Sequence, residues 1–269
     1  MVLVNQNSVT MSSPIDEGDI RNNGDSMGQS YIKLFVTCSP ALLIKFLALD
    51  KMMNKFIILV LTLVGSLSLE ALKTQEIDKV NRDFYDGSGS FFGAIPFDPI
   101  LPNLLLKYGE GHQILEIGSG PGGLAIWLKD RGYEVTCLEP AEKLAEIAAQ
   151  KGLNVYPLTI QEFETDLQYD SIIAISSLIH VPKAELPAQI KKIANNLKPQ
   201  GIFFVSFIEG DDEGFEDPTK KGKLRYFAKW TESDLNHLIS PYFDILENHK
   251  IYNEMMDRTF LLNVYIRRN

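Results

Sequence analysis

Glu116, Gly118, Gly120 and Gly122 place a carboxylate and three glycines at alternate positions, the densest chemical signal in the chain. They belong to Ile114-Leu115-Glu116-Ile117-Gly118-Ser119-Gly120-Pro121-Gly122-Gly123, which reads as a buried strand entering a glycine turn and then a helix. Glycine has no Cβ, so such a turn lets backbone N–H groups and a helix start come close to a ligand. Glu116 sits at the strand tip, facing the crevice beyond the strand ends where open α/β sheets bind ligands. That charge repels a pyrophosphate and attracts an ammonium group. Gly118, Gly120 and Gly123 also satisfy G-x-G-x-x-G, with Glu139 following a second strand. An NAD-linked oxidoreductase using the same turn is therefore the competing expectation. Further along, His180 stands in Ser176-Ser177-Leu178-Ile179-His180-Val181-Pro182. A neutral imidazole there can take a proton from a hydroxyl or amine, or can simply bond the backbone of its own loop.

The elements that must position these groups alternate from Gln113 onward. Strands are expected at Ile114–Ile117, Val135–Leu138, Val155–Leu158, Ser171–Ile175 and Ile202–Phe207, with helices near Leu124–Arg131, Ala141–Lys151 and Leu186–Leu197. That order predicts an α/β fold with a doubly wound, mostly parallel sheet. Ile190, Ile193, Ala194 and Leu197 keep helical spacing, and Lys198-Pro199-Gln200-Gly201 is a stop signal. Thr231 with Asp234 three residues on predicts an N-cap for a helix through Ser240. Two closing strands, Ile245–Tyr252 and Arg258–Ile266, imply an antiparallel last strand. Upstream, Glu76–Tyr108 reads as two helical segments, the first with Ile77, Val80 and Phe84 on one face. Between them, Tyr85-Asp86-Gly87-Ser88-Gly89-Ser90-Phe91-Phe92-Gly93 is too glycine-rich for a regular element.

Five features from Gln113 to Phe207 together resemble the class I S-adenosylmethionine-dependent methyltransferases. They are the E-x-G-x-G-x-G turn, Glu139 after the second strand, Gln161-Glu162 after the third, Ser176 after the fourth, and Leu197-Lys198-Pro199-Gln200-Gly201 before the fifth. Gln200 departs mildly from the family's usual Pro-Gly-Gly type turn. The resemblance implies a seven-stranded sheet with its last strand antiparallel, and S-adenosyl-L-methionine as cofactor. It implies that Glu116 holds the ammonium and that the backbone of Gly118, Ser119, Gly120 and Gly122 leaves room for the methionine and sugar. Glu139 would accept the ribose hydroxyls, Pro140 flank the adenine, Gln161 meet its amino edge and Ser176 complete the seat. Glu139 as a solvated helix-entry carboxylate is the plainer alternative. The segment before the first strand often folds over the cofactor in such enzymes, which makes Tyr85, Phe91 and Phe92 candidates for a lid, or else ordinary core aromatics. The stretch 208–223, acidic first and basic afterwards, is expected to be a loop that could act as a substrate lid, with Arg225, Tyr226, Phe227 and Trp230 lining the acceptor pocket, although most charge runs are solvated. Nothing like Asn-Pro-Pro-Tyr follows the fourth strand, which disfavours amide- or base-nitrogen methylation of the kind that uses it. A methyltransferase-like binding protein without catalysis is a third class, but both carboxylates expected to hold the cofactor are present.

Composition narrows the partners. A net charge of −9 argues against nucleic acid, and a chain of 269 residues leaves no second domain to grip a macromolecule, so a small-molecule acceptor is expected. Cys38 and Cys137 form no C-x-x-C pair, and no His cluster suggests a metal site. Residues 1–30 are expected to be disordered, 31–72 to form an apolar N-terminal segment, and 76–269 to form the methyltransferase domain with its core at 113–207. Lys51-Met52-Met53-Asn54-Lys55 before the apolar run 56–69 resembles an export signal starting at Met53. The run is short for a membrane span, which takes ~20 apolar residues, so an anchor and a packed helix compete with the signal. Flanking lysines favour a cytoplasmic start and would place the domain outside, whereas S-adenosylmethionine is a cytosolic compound. The expectation is a cytoplasmic or cytoplasm-facing, membrane-associated protein, with contact to the membrane through 56–72.

Overall fold

Gln113–Ile117 forms β1, an inner strand of the sheet, with β2 (Glu134–Leu138) parallel on one side and β4 (Tyr169–Ala174) parallel on the other. The computed structural model describes residues 51–87, 100–109, 111–217, 222–254 and 256–269. The expectations for residues 1–50, and for Phe91 and Phe92, lie outside the described residues. Two compact units divide between Leu67 and Ser68, and everything below concerns the second. The boundary falls inside helix α1 (Lys51–Asp86). Among the described residues no helix is long and apolar enough to cross a membrane.

After α1 come α2 (Ile100–Tyr108), β1, α3 (Gly123–Lys129), β2, α4 (Glu142–Gln150), β3 (Asn154–Tyr156) and β4. A single 3₁₀ turn at Leu178–His180 leads to α5 (Leu186–Asn196) and β5 (Leu197–Glu209). Then follow β6 (Glu213–Glu216), β7 (Arg225–Trp230), α6 (Glu232–Ile239), β8 (Phe243–Asn253) and β9 (Arg258–Arg267). The strands β3-β2-β1-β4-β5 are parallel, and β9 runs antiparallel to β5 with β8 outside it. These seven are the expected sheet. The β6–β7 hairpin makes nine, and it is a correction to the loop expected over 208–223. Glu213-Gly214-Phe215-Glu216 is short and acidic, so its strand conformation comes from pairing with β7 rather than from its own pattern.

Alternation along each strand sorts the core onto two faces. Leu115, Ile172, Phe203, Val205 and Phe207 point to the layer of α5 and α6, and Ile114, Ile173, Ile202 and Phe204 to the layer of α2 and α3. Phe203, Phe204 and Phe207 are fully buried, each contributing about 1.5–3 kcal/mol of transfer free energy. Thr231 caps α6 as expected, its side chain accepting from the Asp234 N–H at 3.1 Å. Lys198-Pro199-Gln200-Gly201 ends α5 but lies within β5. Gln200 takes φ 62° there, and the pairing with β4 shifts register between Tyr169 and Ser171. Four residues of β5, Lys198 to Gly201, thus lie opposite Asp170 alone, so the expected turn is present as an excursion within the strand.

One pairing shapes the site. Ile208 of β5 bonds Phe260 of β9 on one flank and Lys229 of β7 on the other. The second flank belongs to β4 only as far as Ala174, which faces Val205. The hairpin therefore takes the place β4 leaves, beyond the carboxyl ends of the parallel strands.

Candidate active site

The turn after β1 is held to β2 through its backbone. Gly118 and Ser119 both donate to the Leu138 carbonyl, at 2.7 and 3.0 Å. Gly118, Gly120 and Gly122 have φ of 73°, 54° and 79°, where only glycine rests without strain. Their neighbours give them different tasks. A Cβ on Gly118 would lie 2.4 Å from the Ser177 side chain, and one on Gly122 would lie 2.3 Å from Leu153. Gly120 faces open space. Two of the three glycines thus serve packing of the turn, and one lines room for a ligand.

Both expected carboxylates are buried at this turn, Glu116 at 6% and Glu139 at 5% exposure. Glu139 accepts from the Gly120 N–H at 2.7 Å through Oε2 and from the Ala141 N–H at 2.8 Å through Oε1. Burial pushes its carboxyl up to about 7 despite these bonds. Among the described residues Glu116 Oε2 is buried without a hydrogen-bond partner, as is Ser177 Oγ. Burial, and then the charge of Glu139, push Glu116 up to about 8. An oxygen stranded this way carries an uncompensated desolvation cost. Ser176 is held at φ 53° with its N–H on Ser206 Oγ at 2.8 Å. Pro140 lines a cavity of about 450 Å³ whose other wall is the end of α1, through Asp78, Arg82 and Asp86. Gln161 sits near that cavity's Glu162, and its carbonyl accepts from Lys192 at 3.1 Å.

His180 sits on the 3₁₀ turn after β4. Its Nδ1 lies 2.6 Å from the Tyr226 carbonyl, an acceptor only, so Nδ1 carries the proton. Burial lowers the imidazole to about 4, and Arg225 adds to the drop. The ring is therefore neutral, and Nε2 offers a lone pair to the Tyr85 hydroxyl at 2.7 Å. Arg225 Nη1 reaches the same hydroxyl at 3.4 Å. The structure thus brings Tyr85, His180 and Arg225 together from α1, the turn after β4 and β7. Tyr226 joins them through its carbonyl, while its own hydroxyl turns to Glu213 at 2.5 Å. Trp230 stands apart, its indole edge-on to Phe207 in the core.

The end of α1 closes over this arrangement by contacts that the sequence analysis did not single out. Asn81 Oδ1 accepts from the Tyr226 N–H at 2.9 Å, Arg82 grips Glu162 through both carboxylate oxygens, and Asp86 accepts from the Lys143 N–H at 2.9 Å. A signal for Asn81 existed. It falls at helical spacing between Ile77 and Phe84, a polar residue inside an apolar stripe.

With this geometry in place, the relatives decide the family. Residues 95–251 match the family described as a methyltransferase domain. The chain belongs to that family. Ubiquinone biosynthesis O-methyltransferase of Rickettsia typhi is 25% identical over 209 residues, covering 71% of this chain and 79% of that protein. Among solved structures, a Burkholderia thailandensis 1,6-didemethyltoxoflavin-N1-methyltransferase bound to S-adenosylhomocysteine superposes with TM-score 0.59 at 17% identity, covering 75% of this chain and 90% of that one. Magnesium protoporphyrin IX methyltransferase from Synechocystis PCC 6803, with bound S-adenosylhomocysteine, gives TM-score 0.57 at 17% identity, covering 72% and 100%. The two structural likenesses show the fold. This methyltransferase is of the class I, S-adenosylmethionine-dependent type, and the oxidoreductase reading of the same glycines is not supported. Its turn fits that cofactor. The stranded Glu116 oxygen suits an ammonium and the open side of Gly120 leaves room, while a pyrophosphate would meet a buried carboxylate.

Proposed function

We propose that this methyltransferase transfers the methyl group of S-adenosylmethionine to a hydroxyl of a small molecule, with His180 accepting the hydroxyl proton. One observation carries the reading. The imidazole is locked in one tautomer by the Tyr226 carbonyl, and its remaining lone pair already meets a hydroxyl, that of Tyr85. A hydroxyl acceptor needs such a base, since oxygen is a poor nucleophile until its proton leaves. The Rickettsia relative, named an O-methyltransferase, supports the same class of acceptor atom.

The cofactor supplies a methyl group already activated on a sulfonium, so the chain mainly aligns the partners and excludes water. In this reading Glu116 holds the ammonium, and Gly118, Ser119, Gly120 and Gly122 form the wall around the methionine and sugar. Glu139 turns its oxygens from backbone N–H groups to the ribose hydroxyls, while Pro140, Gln161 and Ser176 border the remainder. Tyr85 and Arg225 border the acceptor on the other side, and Tyr226 contributes by fixing His180. A cytosolic cosubstrate supports a cytoplasmic or cytoplasm-facing location for the domain.

Substituting His180→Ala is expected to lower kcat by about 10²–10⁴ with S-adenosylhomocysteine affinity unchanged. Labelled-methyl transfer to a metabolite mixture, read by mass spectrometry, gives the first number and calorimetry the second. Unchanged turnover in the variant removes His180 from the mechanism.

A further inference from the structure

Arg225 is a buried cation with no counter-charge among the described residues. It is 5% exposed, and among the described residues no carboxylate lies within ion-pair distance of it. Its guanidinium rests between aromatic rings, 4.3 Å from the Phe84 centroid and 4.9 Å from that of Phe227. Its Nε is buried without a hydrogen-bond partner. Its hydrogen bond to Tyr85 at 3.4 Å is long and goes to a neutral group. Nearby Arg258 shows the ordinary solution, since it also lies over Phe227 but is paired with Glu216. Cation–π contacts are weak beside the desolvation cost of burying a lone charge and do not offset it. A guanidinium left in that state is a fork waiting for a planar anion.

We propose that Arg225 receives a carboxylate carried by the methyl acceptor, on an atom adjacent to the one bearing the hydroxyl. The proposal rests on the reading of His180 as the base for that hydroxyl. Both His180 Nε2 and Arg225 Nη1 meet one oxygen, that of Tyr85. An acceptor displacing this phenol therefore presents its hydroxyl and its anion close together, as a 2-hydroxybenzoate does. The transient oxyanion of the reaction does not suffice as the partner, because the proton it loses charges His180 and leaves the guanidinium uncompensated. A resident carboxylate also relieves the repulsion by which Arg225 depresses the basicity of His180. The acceptor's own charge thus removes the lesser cause of the low imidazole value, burial being the greater.

The test titrates 2-hydroxybenzoate and its neutral analogue 2-hydroxybenzamide into the full chain saturated with S-adenosylhomocysteine, by calorimetry, for wild type, R225K and R225M. Wild type is expected to favour the benzoate at least about tenfold, a difference of ~1.4 kcal/mol. R225K is expected to keep part of the preference and R225M to lose it. Equal binding in wild type, or a preference that survives in R225M, overturns the proposal. The methionine end of the cofactor also carries a carboxylate, so S-adenosylhomocysteine affinity is measured first. Unchanged affinity in R225M is expected, and a tenfold loss would assign Arg225 to the cofactor and overturn the acceptor assignment. The His180 reading fails separately, through unchanged turnover in His180→Ala.

Discussion

Burial raises the Glu116 carboxyl from 4.5 to about 8, and Glu139 adds to the rise. The folded, ligand-free protein therefore holds a proton there that the unfolded chain releases near 4.5, and ionising Glu116 in the fold is unfavourable. A bound ammonium reverses the preference, since it stabilises the ionised form. Affinity for S-adenosylhomocysteine is accordingly expected to rise between about pH 6 and pH 8, as the ligand need no longer displace a proton. In Glu116→Gln the affinity should be lower and the rise shallower, with Glu139 accounting for what is left. Calorimetry at three pH values checks both, and an equally steep rise in the variant would falsify the role given to Glu116. Glu116 and Glu139 could be recognised from their place in the pattern. Ser177 could not, because its meaning lies in being pressed against Gly118, a contact between segments 59 positions apart that no local spacing encodes.

α1 and the β6–β7 hairpin are two elements that enclose His180, and besides the long bond from Arg225 to Tyr85 they are joined by a buried bond from the Tyr226 N–H to Asn81. Replacing Asn81 by Ala leaves that buried donor unpaired, at a cost of about 1–3 kcal/mol. The thermal midpoint should fall by several degrees, roughly 2–4 °C per kcal/mol for a domain of this size. Amide exchange should quicken at Tyr226 and along residues 73–86, read by mass spectrometry. Because the neighbouring Tyr226 carbonyl fixes His180, kcat should fall as well while S-adenosylhomocysteine affinity holds. Exchange unchanged at Tyr226 would show that another group secures this edge. The helices and parallel strands were legible because each carries its own period and its own stop. β6 was not, since Glu213-Gly214-Phe215-Glu216 becomes a strand only where β7 offers it an edge.

Across the whole molecule, Asp78, Glu139 and Glu116 are all raised, to about 6, 7 and 8, chiefly by burial. Each destabilises the ligand-free fold as pH climbs from the unfolded carboxylate value toward its own raised one. His180, lowered from 6.5 to about 4, acts in the other direction. Its contribution is complete above 6.5 and is lost as pH falls toward 4. Above about pH 6.5 the raised carboxylates still change, so the midpoint of the ligand-free protein should fall from there to about pH 8.5. Saturating S-adenosylhomocysteine should flatten that fall, and scanning calorimetry in both states reads it. A ligand-free profile that is flat in this range would mean the carboxyls are solvated. The order of strands and helices, the glycine turn and the two carboxylates at its lip follow from neighbours along the chain, where periodicity and backbone freedom act. The crowding at Gly118 and Gly122 against the open side of Gly120, the tautomer of His180 and the lack of an ion pair at Arg225 among the described residues were settled only by the fold. They depend on which groups the packing brings within a few ångströms and shuts away from water, and those groups come from α1, the end of β4 and β7, far apart in the chain.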